Sequence, residues 1–224
     1  MRTLIDYQPP TEPLSKQHNV TMSAATLFLR DGIEAVRMTD IAEYSGMGVA
    51  SLYRHFGTKT KLAIAAGTLM WKRFNAFVQE LLYEDRFVSA TGGQRLVQLL
   101  EHYCDEYTRH PDFVRFLEEF DHLVVAEQVP REDLADYGRA VDSFYPIFKE
   151  AYERGLADGS VTRRVDFPVF YRTIAHSMMG IAQRIVRGDI IPSDDYEHGT
   201  YELACVVQMA RYTLGVDIDG GTQD

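Results

Sequence analysis

Apolar side chains recur at steps of three and four residues along almost the whole chain from residue 15 onward. In the first such stretch the stripe consists of Val20, Ala24, Leu27 and Phe28. This spacing puts the side chains on one face of an α-helix, whereas a half-buried strand would need strict alternation. Since no strand-turn-strand pattern occurs in the sequence, we predict an all-α fold.

Glycine and proline residues set the breaks between about nine predicted helices. The first helix ends at Gly32, the second spans 39–44 and the third spans 49–56. Thr58 is a good N-cap for a long fourth helix, whose apolar residues continue to Leu81. Further helices are expected near 94–109, 112–123, 131–157, 166–187 and 194–214.

The net charge of -10 is unevenly distributed. Residues 1–61 carry seven Lys or Arg and six Asp or Glu, which leaves 16 basic and 27 acidic residues for the remainder. The N-terminal part is therefore near +1 and the rest near -11. A polyanionic partner is expected to bind the N-terminal part.

Several classes of protein are disfavoured by what the sequence lacks. Cys104 and Cys205 are far apart and have no paired Cys/His spacing, so neither a zinc site nor a disulfide is expected. We predict no cofactor, no metal and no catalytic residue. No signal peptide or bilayer-spanning apolar run is recognisable, and a cytoplasmic protein is expected.

Residues 38–57 have the spacing of a helix-turn-helix. Ile41 and Ala42 fall on the inner face of its first helix, and Gly46 begins the turn. Leu52 and Phe56 stand at i and i+4 on the second helix, which points both side chains into the core.

The opposite face of that second helix presents Ala50, Ser51 and Arg54, with Tyr53 and His55 on its flanks. Small side chains at 50 and 51 let the backbone approach base edges, and Arg54 can read guanine or neutralise a phosphate. A nine-residue helix is roughly 13 Å long and fits a major groove about 12 Å wide. The pattern indicates DNA binding.

These residues resemble the tetracycline-repressor (TetR) family of bacterial regulators. The resemblance rests on Asp40–Ala42, on Ser45–Gly46 and, most specifically, on Leu52–Lys59 followed by Leu62. It implies that Tyr53 and Lys59 grip DNA phosphates. With the face described above, the predicted DNA-binding residues are Thr39, Gly48, Val49, Ala50, Ser51, Tyr53, Arg54, His55 and Lys59.

Two positions depart from the family pattern. Arg37 stands where many members cap the second helix with Ser or Thr, and Gly48 stands where they commonly begin the recognition helix with Ser or Thr. Glycine tolerates an N-cap position, so the fold is unaffected. The phosphate contact usually made from that end is expected to be weakened.

Four segments are expected from these patterns. They are a flexible arm in 1–14, a helix-turn-helix DNA-binding domain in 15–61, a helical ligand-binding and dimerisation domain in 62–216, and a flexible tail in 217–224. The resemblance implies that the larger domain holds a small-molecule effector among its middle helices and forms a homodimer through its last two.

The middle helices are rich in aromatic residues, which suit either a plain core or a lipophilic pocket. We expect a hydrophobic or aromatic effector. The predicted ligand-binding residues are Tyr103, Tyr107, Phe113, Phe116, Phe120, Phe144, Phe148 and His176.

Two apolar stripes near the C-terminus would bury a four-helix interface when they face their two-fold mates. The predicted dimer-interface residues are Phe170, Ile174, Met178, Ile181, Ile185, Leu203, Val207 and Ala210. Such a dimer suits a palindromic operator, read by helices about one DNA turn, roughly 34–36 Å, apart. No membrane partner is expected.

Two other functions are kept as alternatives. Glu118 and His122 put an acid and an imidazole on one helical face, as an enzyme would, but no third ligand or nucleophile is identifiable. The chain could also be a helical small-molecule-binding protein or enzyme that retains a non-functional helix-turn-helix. A repressor is favoured over an activator by the resemblance alone.

Overall fold

The computed structural model describes residue 4, residues 15–188 and residues 199–217. Most of the predicted arm and of the predicted tail therefore lie outside the described residues. The described chain forms helices without a strand, as the periodicity predicts. The α-helices are α1 Lys16–Asp31, α2 Met38–Ser45, α3 Val49–Phe56, α4 Lys59–Leu81, α5 Asp85–Val88, α6 Gly92–Arg109, α7 Pro111–Ala126, α8 Ala135–Val141, α9 Tyr145–Asp158, α10 Phe167–Arg187 and α11 Gly199–Leu214, with a 3₁₀ turn at Asp142–Phe144 between α8 and α9.

The boundaries of the first helices follow from local chemistry. The Ser15 hydroxyl accepts a hydrogen bond from the His18 backbone N–H at 3.0 Å and caps α1. At the other end Gly32 has φ +86°, a backbone conformation that residues with a side chain rarely adopt. Gly46 ends α2 in the left-handed region, with φ +69°. The sequence-based limits of α1 and α2 are thus confirmed to within a residue or two.

One sequence-based helix assignment is wrong, and one short helix was missed. The single helix expected over 131–157 is divided into α8, the 3₁₀ turn and α9. Pro146 lies in the first turn of α9, where its missing N–H costs nothing, but inside a continuous helix its ring would clash with the carbonyl four residues earlier. The four-residue α5 was not predicted, because it is too short to show a period.

The described residues pack as two compact units. One comprises the chain up to Ala76 together with His110–Ser143, and the other comprises Phe77–Arg109 together with the chain from Phe144 onward. Both units draw on distant parts of the sequence. The boundary at residues 61 and 62 was predicted from function, and it stays a prediction.

The first unit has an aromatic core. Phe28, Phe116, Phe120 and Tyr137 stack in series, with ring centroids 6.4, 5.8 and 4.6 Å apart. The Trp71 indole N–H donates to the Tyr137 hydroxyl at 3.0 Å. Burial raises the pKa of this phenol well above its ordinary value, so the hydroxyl stays protonated. The stack fixes α7 and α8 against α1 and α4.

In the second unit α6 packs against α9, α10 and α11. The Tyr103 ring lies edge-on to Phe144 and Phe148, with centroids 4.8 and 5.7 Å away. Leu203 and Val207 of α11 are buried within the same unit. Within the described ranges, no helix combines the length and the apolarity that crossing a membrane requires.

Candidate nucleic-acid interface

The helix-turn-helix is fixed by its buried inner face. Ile41 of α2 and Leu52 of α3 are both fully buried. Between the two helices the Met47 backbone N–H donates to the Ala42 carbonyl at 3.1 Å, and the left-handed Gly46 permits this tight turn. The angle between α2 and α3 is therefore set by packing and by the turn, and the outer face of α3 is left open.

That outer face carries most of the predicted DNA contacts. Ala50, Tyr53, Arg54 and His55 are exposed and Ser51 is half-buried. The Arg54 guanidinium donates to the Ser51 hydroxyl at 3.2 Å, so these two side chains are neighbours on the face. The structure brings together one long cationic donor, one hydroxyl and one phenol at the surface of a single short helix.

The two helix N-termini complete the predicted set. Gly48 is the N-cap of α3, and no side chain caps that end, so its first N–H groups are open to an anion. Val49 is 39% exposed beside it. Thr39, exposed in the first turn of α2, makes a hydrogen bond of 3.4 Å to the Asp40 carboxylate.

Asp40 replaces the cap that Arg37 does not provide. Its carboxylate accepts hydrogen bonds from the Arg37 backbone N–H at 2.8 Å and from the guanidinium of the same residue. The backbone bond, followed by the guanidinium, lowers the pKa of Asp40 below its usual range. The departure from the family pattern at position 37 is thus compensated three residues later.

Gln17 lies beside the outer face of α3, and the sequence alone gives no means of finding this contact. Its amide nitrogen lies 3.4 Å from Nδ1 of His55, although 38 residues separate the two in the chain. This contact puts the N-terminal turn of α1 beside the end of α3. No period or motif signals it, because it arises from tertiary packing.

Lys59 is placed differently from the other predicted residues. Its ammonium donates to the carbonyls of Ile33, Glu34 and Val36 at 2.8, 3.1 and 3.2 Å. All three oxygens belong to the loop between α1 and α2. The Ile33 N–H in turn donates to the Glu119 carboxylate of α7 at 2.5 Å.

The predicted ligand-binding residues are divided between the two units. Phe113, Phe116 and Phe120 are buried in the first unit; Tyr103, Tyr107, Phe144 and Phe148 are buried in the second. Burial, with Tyr171 and Tyr107 nearby, raises the pKa of Tyr103 well above its ordinary value. His176 of α10 is exposed.

The predicted dimer residues divide by exposure. Met178, Leu203, Val207 and Ala210 are buried within the chain, whereas Phe170, Ile174, Ile181 and Ile185 are half-buried. A shallow groove of about 430 Å³ between α10 and α11 is lined by Phe170, Ile174 and Val206, among others. Val169 and Met209 at this groove are 51% and 58% exposed, and the sequence-based set did not contain them.

The two residues that suggested an enzyme lie one turn apart on α7. Glu118 is half-buried and His122 is exposed on α7. Among the described residues, no group of three or more His, Cys, Asp or Glu side chains is arranged to hold a metal ion.

A buried two-helix scaffold with an open, cationic recognition helix defines a helix-turn-helix DNA-binding protein. Residues 21–66 match the model of the bacterial regulatory proteins, tetR family. This match assigns the segment that contains the helix-turn-helix to the TetR family of bacterial regulators.

Two curated relatives agree with this assignment. The chain is 28% identical over 139 residues to the HTH-type transcriptional repressor NicS of Pseudomonas putida, a match that covers 62% of this chain and 64% of NicS. It is 25% identical over 169 residues to the HTH-type transcriptional repressor KstR2 of Mycolicibacterium smegmatis, covering 74% and 77% of the two chains. The matched segment thus spans less than two thirds of the length of NicS.

Solved structures share the fold over most of their length. The fatty acid degradation regulator FadR of Bacillus halodurans is similar with a TM-score of 0.62 at 15% identity, covering 89% of this chain and 96% of that one. A transcriptional regulator of Saccharomonospora viridis in complex with choline gives 0.64 at 20% identity, with coverage of 86% and 95%. FadR of Bacillus subtilis in complex with stearoyl-CoA gives 0.62 at 14% identity, with coverage of 87% and 97%.

Proposed function

We propose that this chain is a transcriptional repressor that binds a palindromic operator as a homodimer and is released from it by a small hydrophobic or aromatic effector. The observation that carries the proposal is the outer face of α3, where Tyr53 and Arg54 are exposed on a helix whose other face is buried. A helix held in this way can enter a major groove without any rearrangement of its own domain.

The residues on the outer face of α3 have two roles: some position the protein on DNA, and others read the base sequence. The Tyr53 hydroxyl and the open N-terminus of α3 supply phosphate contacts, which fix the register on DNA. Arg54 reads guanine in a bidentate manner, and Ser51 supports it through the bond between the two side chains. Ala50 contacts a thymine methyl, Val49 packs beside it, and His55 and Thr39 add contacts at the edges.

The aromatic clusters support the proposal of an effector. Sites for small molecules are lined mainly by apolar and aromatic side chains with a few polar groups, which is the composition of these clusters. Two relatives of the same fold have been solved with stearoyl-CoA and with choline, both of which combine carbon-rich parts with a polar group. We infer an effector of mainly apolar character for this chain as well.

The groove between α10 and α11 supports the proposal of a homodimer. Its exposed apolar side chains, Val169 and Met209, are costly to leave in water, and a second copy would cover them in an isologous contact. A two-fold dimer presents two recognition helices, which accounts for a palindromic operator with half-sites about one turn apart.

Effector and operator then oppose one another. If the effector lowers the affinity for DNA by some factor, DNA lowers the affinity for the effector by the same factor. This reciprocity distinguishes a regulator from a helical binding protein with a non-functional helix-turn-helix. The ligand affinity of such a binding protein would be the same with and without DNA.

The experiment is fluorescence anisotropy with a duplex selected by the protein from a random pool, titrated at two salt concentrations. A repressor of this kind binds with an affinity that falls steeply with salt and with a stoichiometry of one dimer per duplex. If no duplex is ever selected, the helix-turn-helix is non-functional and a small-molecule-binding protein becomes the better account.

A further inference from the structure

The peptide group of Ile33 is held from both sides by side chains of other helices. Its N–H donates to the Glu119 carboxylate at 2.5 Å, and its C=O accepts from the Lys59 ammonium at 2.8 Å. Lys59 and Glu119 lie 26 and 86 residues from Ile33 along the chain. This peptide belongs to the loop that joins α1 to α2, and therefore joins the body of the domain to its helix-turn-helix.

The three hydrogen-bonding directions of the Lys59 ammonium are all used within the chain. Besides Ile33, the ammonium donates to the carbonyls of Glu34 and Val36. A lysine ammonium has three donors and no acceptor, so this arrangement leaves none for a phosphate oxygen. The geometry differs from the phosphate grip that the family resemblance implies for this position.

The loop has little else to fix its polar backbone. The side chains of Ile33 and Val36 are buried, but an open groove of about 990 Å³ runs beside residues 31–35 and is also lined by Lys59 and Glu119. Backbone groups at such an edge need partners to hold one conformation. Glu119 and Lys59 supply charge-assisted bonds, which are stronger than neutral ones.

Glu119 also belongs to the helix that carries three predicted effector contacts. On α7 it follows Arg115 by one turn, and the Arg115 guanidinium donates to the Leu29 carbonyl near the end of α1 at 2.8 Å. Phe116 on the same helix stacks on Phe28. A displacement of α7 would therefore be passed directly to the end of α1 and to the loop.

We propose that Lys59 and Glu119 are positioning residues that clamp the Ile33 peptide, and that Lys59 contributes to operator affinity through the loop between α1 and α2 and not by touching a phosphate. This inference rests on the proposed function, because the clamp matters only if α2 and α3 bind DNA. In this proposal α7 controls the position of the helix-turn-helix through Glu119.

Salt dependence separates the two roles of Lys59. A cationic side chain that contacts a phosphate displaces about one counterion, so its removal reduces the magnitude of the slope of log affinity against log salt by about 0.9. A positioning residue lowers the affinity with the slope unchanged. We expect Lys59→Met to weaken binding to the selected duplex roughly tenfold, the loss for an interaction of about 1.4 kcal/mol, at an unchanged slope.

Three further variants and a control sharpen the test. Lys59→Arg keeps the charge, but its planar fork cannot direct its donors at three carbonyls that converge on one point, so we expect a loss of affinity like that of Lys59→Met, whereas a phosphate contact would survive. Glu119→Gln retains an acceptor for the Ile33 N–H and binds nearly as the wild type does, while Glu119→Ala is weakened. Lys72→Met removes an exposed charge elsewhere on α4 and leaves the affinity unchanged.

Hydrogen exchange of the Ile33 amide tests the clamp without DNA. We expect faster exchange in Lys59→Met and in Glu119→Ala, and near wild-type exchange in Glu119→Gln. Unchanged protection in the first two variants, a slope reduced in magnitude by about one in Lys59→Met, or full affinity in Lys59→Arg would overturn the inference. Failure of the wild type to select any duplex would instead overturn the proposed function.

Discussion

The Arg54 guanidinium donates a hydrogen bond to the Ser51 hydroxyl at 3.2 Å, one turn earlier on the outer face of α3. The bond orients the long side chain along the helix surface, where its free end can meet a base edge. Since a bidentate contact with guanine needs a planar fork held in one direction, the pair is suited to sequence reading.

Arg54→Lys is therefore expected to weaken binding to the selected operator roughly 10- to 100-fold, because a lysine keeps the charge and loses the bidentate contact worth about 1–3 kcal/mol. Binding to a random duplex should change little. Anisotropy with both duplexes measures the two effects. Arg139→Lys, on an exposed side chain of α8, is the control, and equal losses on both duplexes would assign Arg54 to a phosphate.

Gly32→Ala should destabilise the fold by about 3 kcal/mol, because the backbone at φ +86° and ψ 156° is open essentially to glycine alone. A Cβ there would also stand 3.0 Å from the Glu119 carboxylate. Gly46→Ala, at φ +69° with nothing within 4 Å, should cost only about 1–2 kcal/mol. Urea denaturation measures the loss in free energy of unfolding for each variant. Equal losses would show that the Glu119 carboxylate moves aside without cost.

The first helices could be predicted from the sequence because their ends depend on local chemistry. Ser15, Gly32 and Gly46 mark those ends with residues that cap or reverse the chain. The break between α8 and α9 was missed, although Pro146 stands in the sequence. A proline is compatible with the start of one helix as well as with a kink, and the period continues on both sides.

The site was predictable where a single helix defines it. The outer face of α3 follows from the 100° step between residues, and each member of it is exposed or half-buried. The bonds of Lys59 to the loop were not predictable, since they join residues 23 to 26 positions apart. For α10 and α11 the period gives apolar stripes, but it does not reveal which apolar face packs within the chain.

Tyr137→Phe should lower the free energy of unfolding by about 1–3 kcal/mol, because the Trp71 indole N–H loses its acceptor in a part-buried setting. Trp71 is the only tryptophan, so its emission reports on this contact directly, and we expect a shift to shorter wavelength. The control is Tyr83→Phe, at a tyrosine that is 85% exposed. If the two variants unfold alike, the hydrogen bond contributes nothing.

Cys104 should resist alkylation in the native state. Burial, reinforced by Asp105 and Glu101, raises the pKa of its thiol from 9.0 to about 12. At pH 8 the reactive thiolate is thus roughly a thousandfold scarcer than in an ordinary cysteine. Because the raised pKa favours the neutral thiol in the folded state, the stability it contributes is present below pH 9 and is lost as the pH rises toward 12.

The measurement uses Cys205→Ser, in which Cys104 is the sole thiol, and follows its reaction with a chromogenic disulfide in native buffer and in urea. A native rate close to the unfolded rate would show that the thiol is accessible and ionised.

Val169→Asp and Met209→Asp should weaken the homodimer on the order of a hundredfold or more, because each would bury a carboxylate against the apolar groove between α10 and α11. Sedimentation equilibrium reports the dissociation constant. Val125→Asp introduces the same charge at a valine of α7 that is 76% exposed and should leave the dimer intact. Dimers of wild-type affinity in the first two variants would place the interface elsewhere.

DNA reading by α3 is tested by the affinity of the wild type and of Tyr53→Ala for the selected duplex across a range of salt concentrations. We expect salt-dependent binding by the wild type. We further expect the variant to bind more weakly at every salt concentration with a nearly unchanged salt slope, because the lost phenol donates a neutral hydrogen bond to a phosphate and displaces no counterion. Full affinity in Tyr53→Ala, or a wild type whose binding ignores salt, would contradict DNA reading by α3.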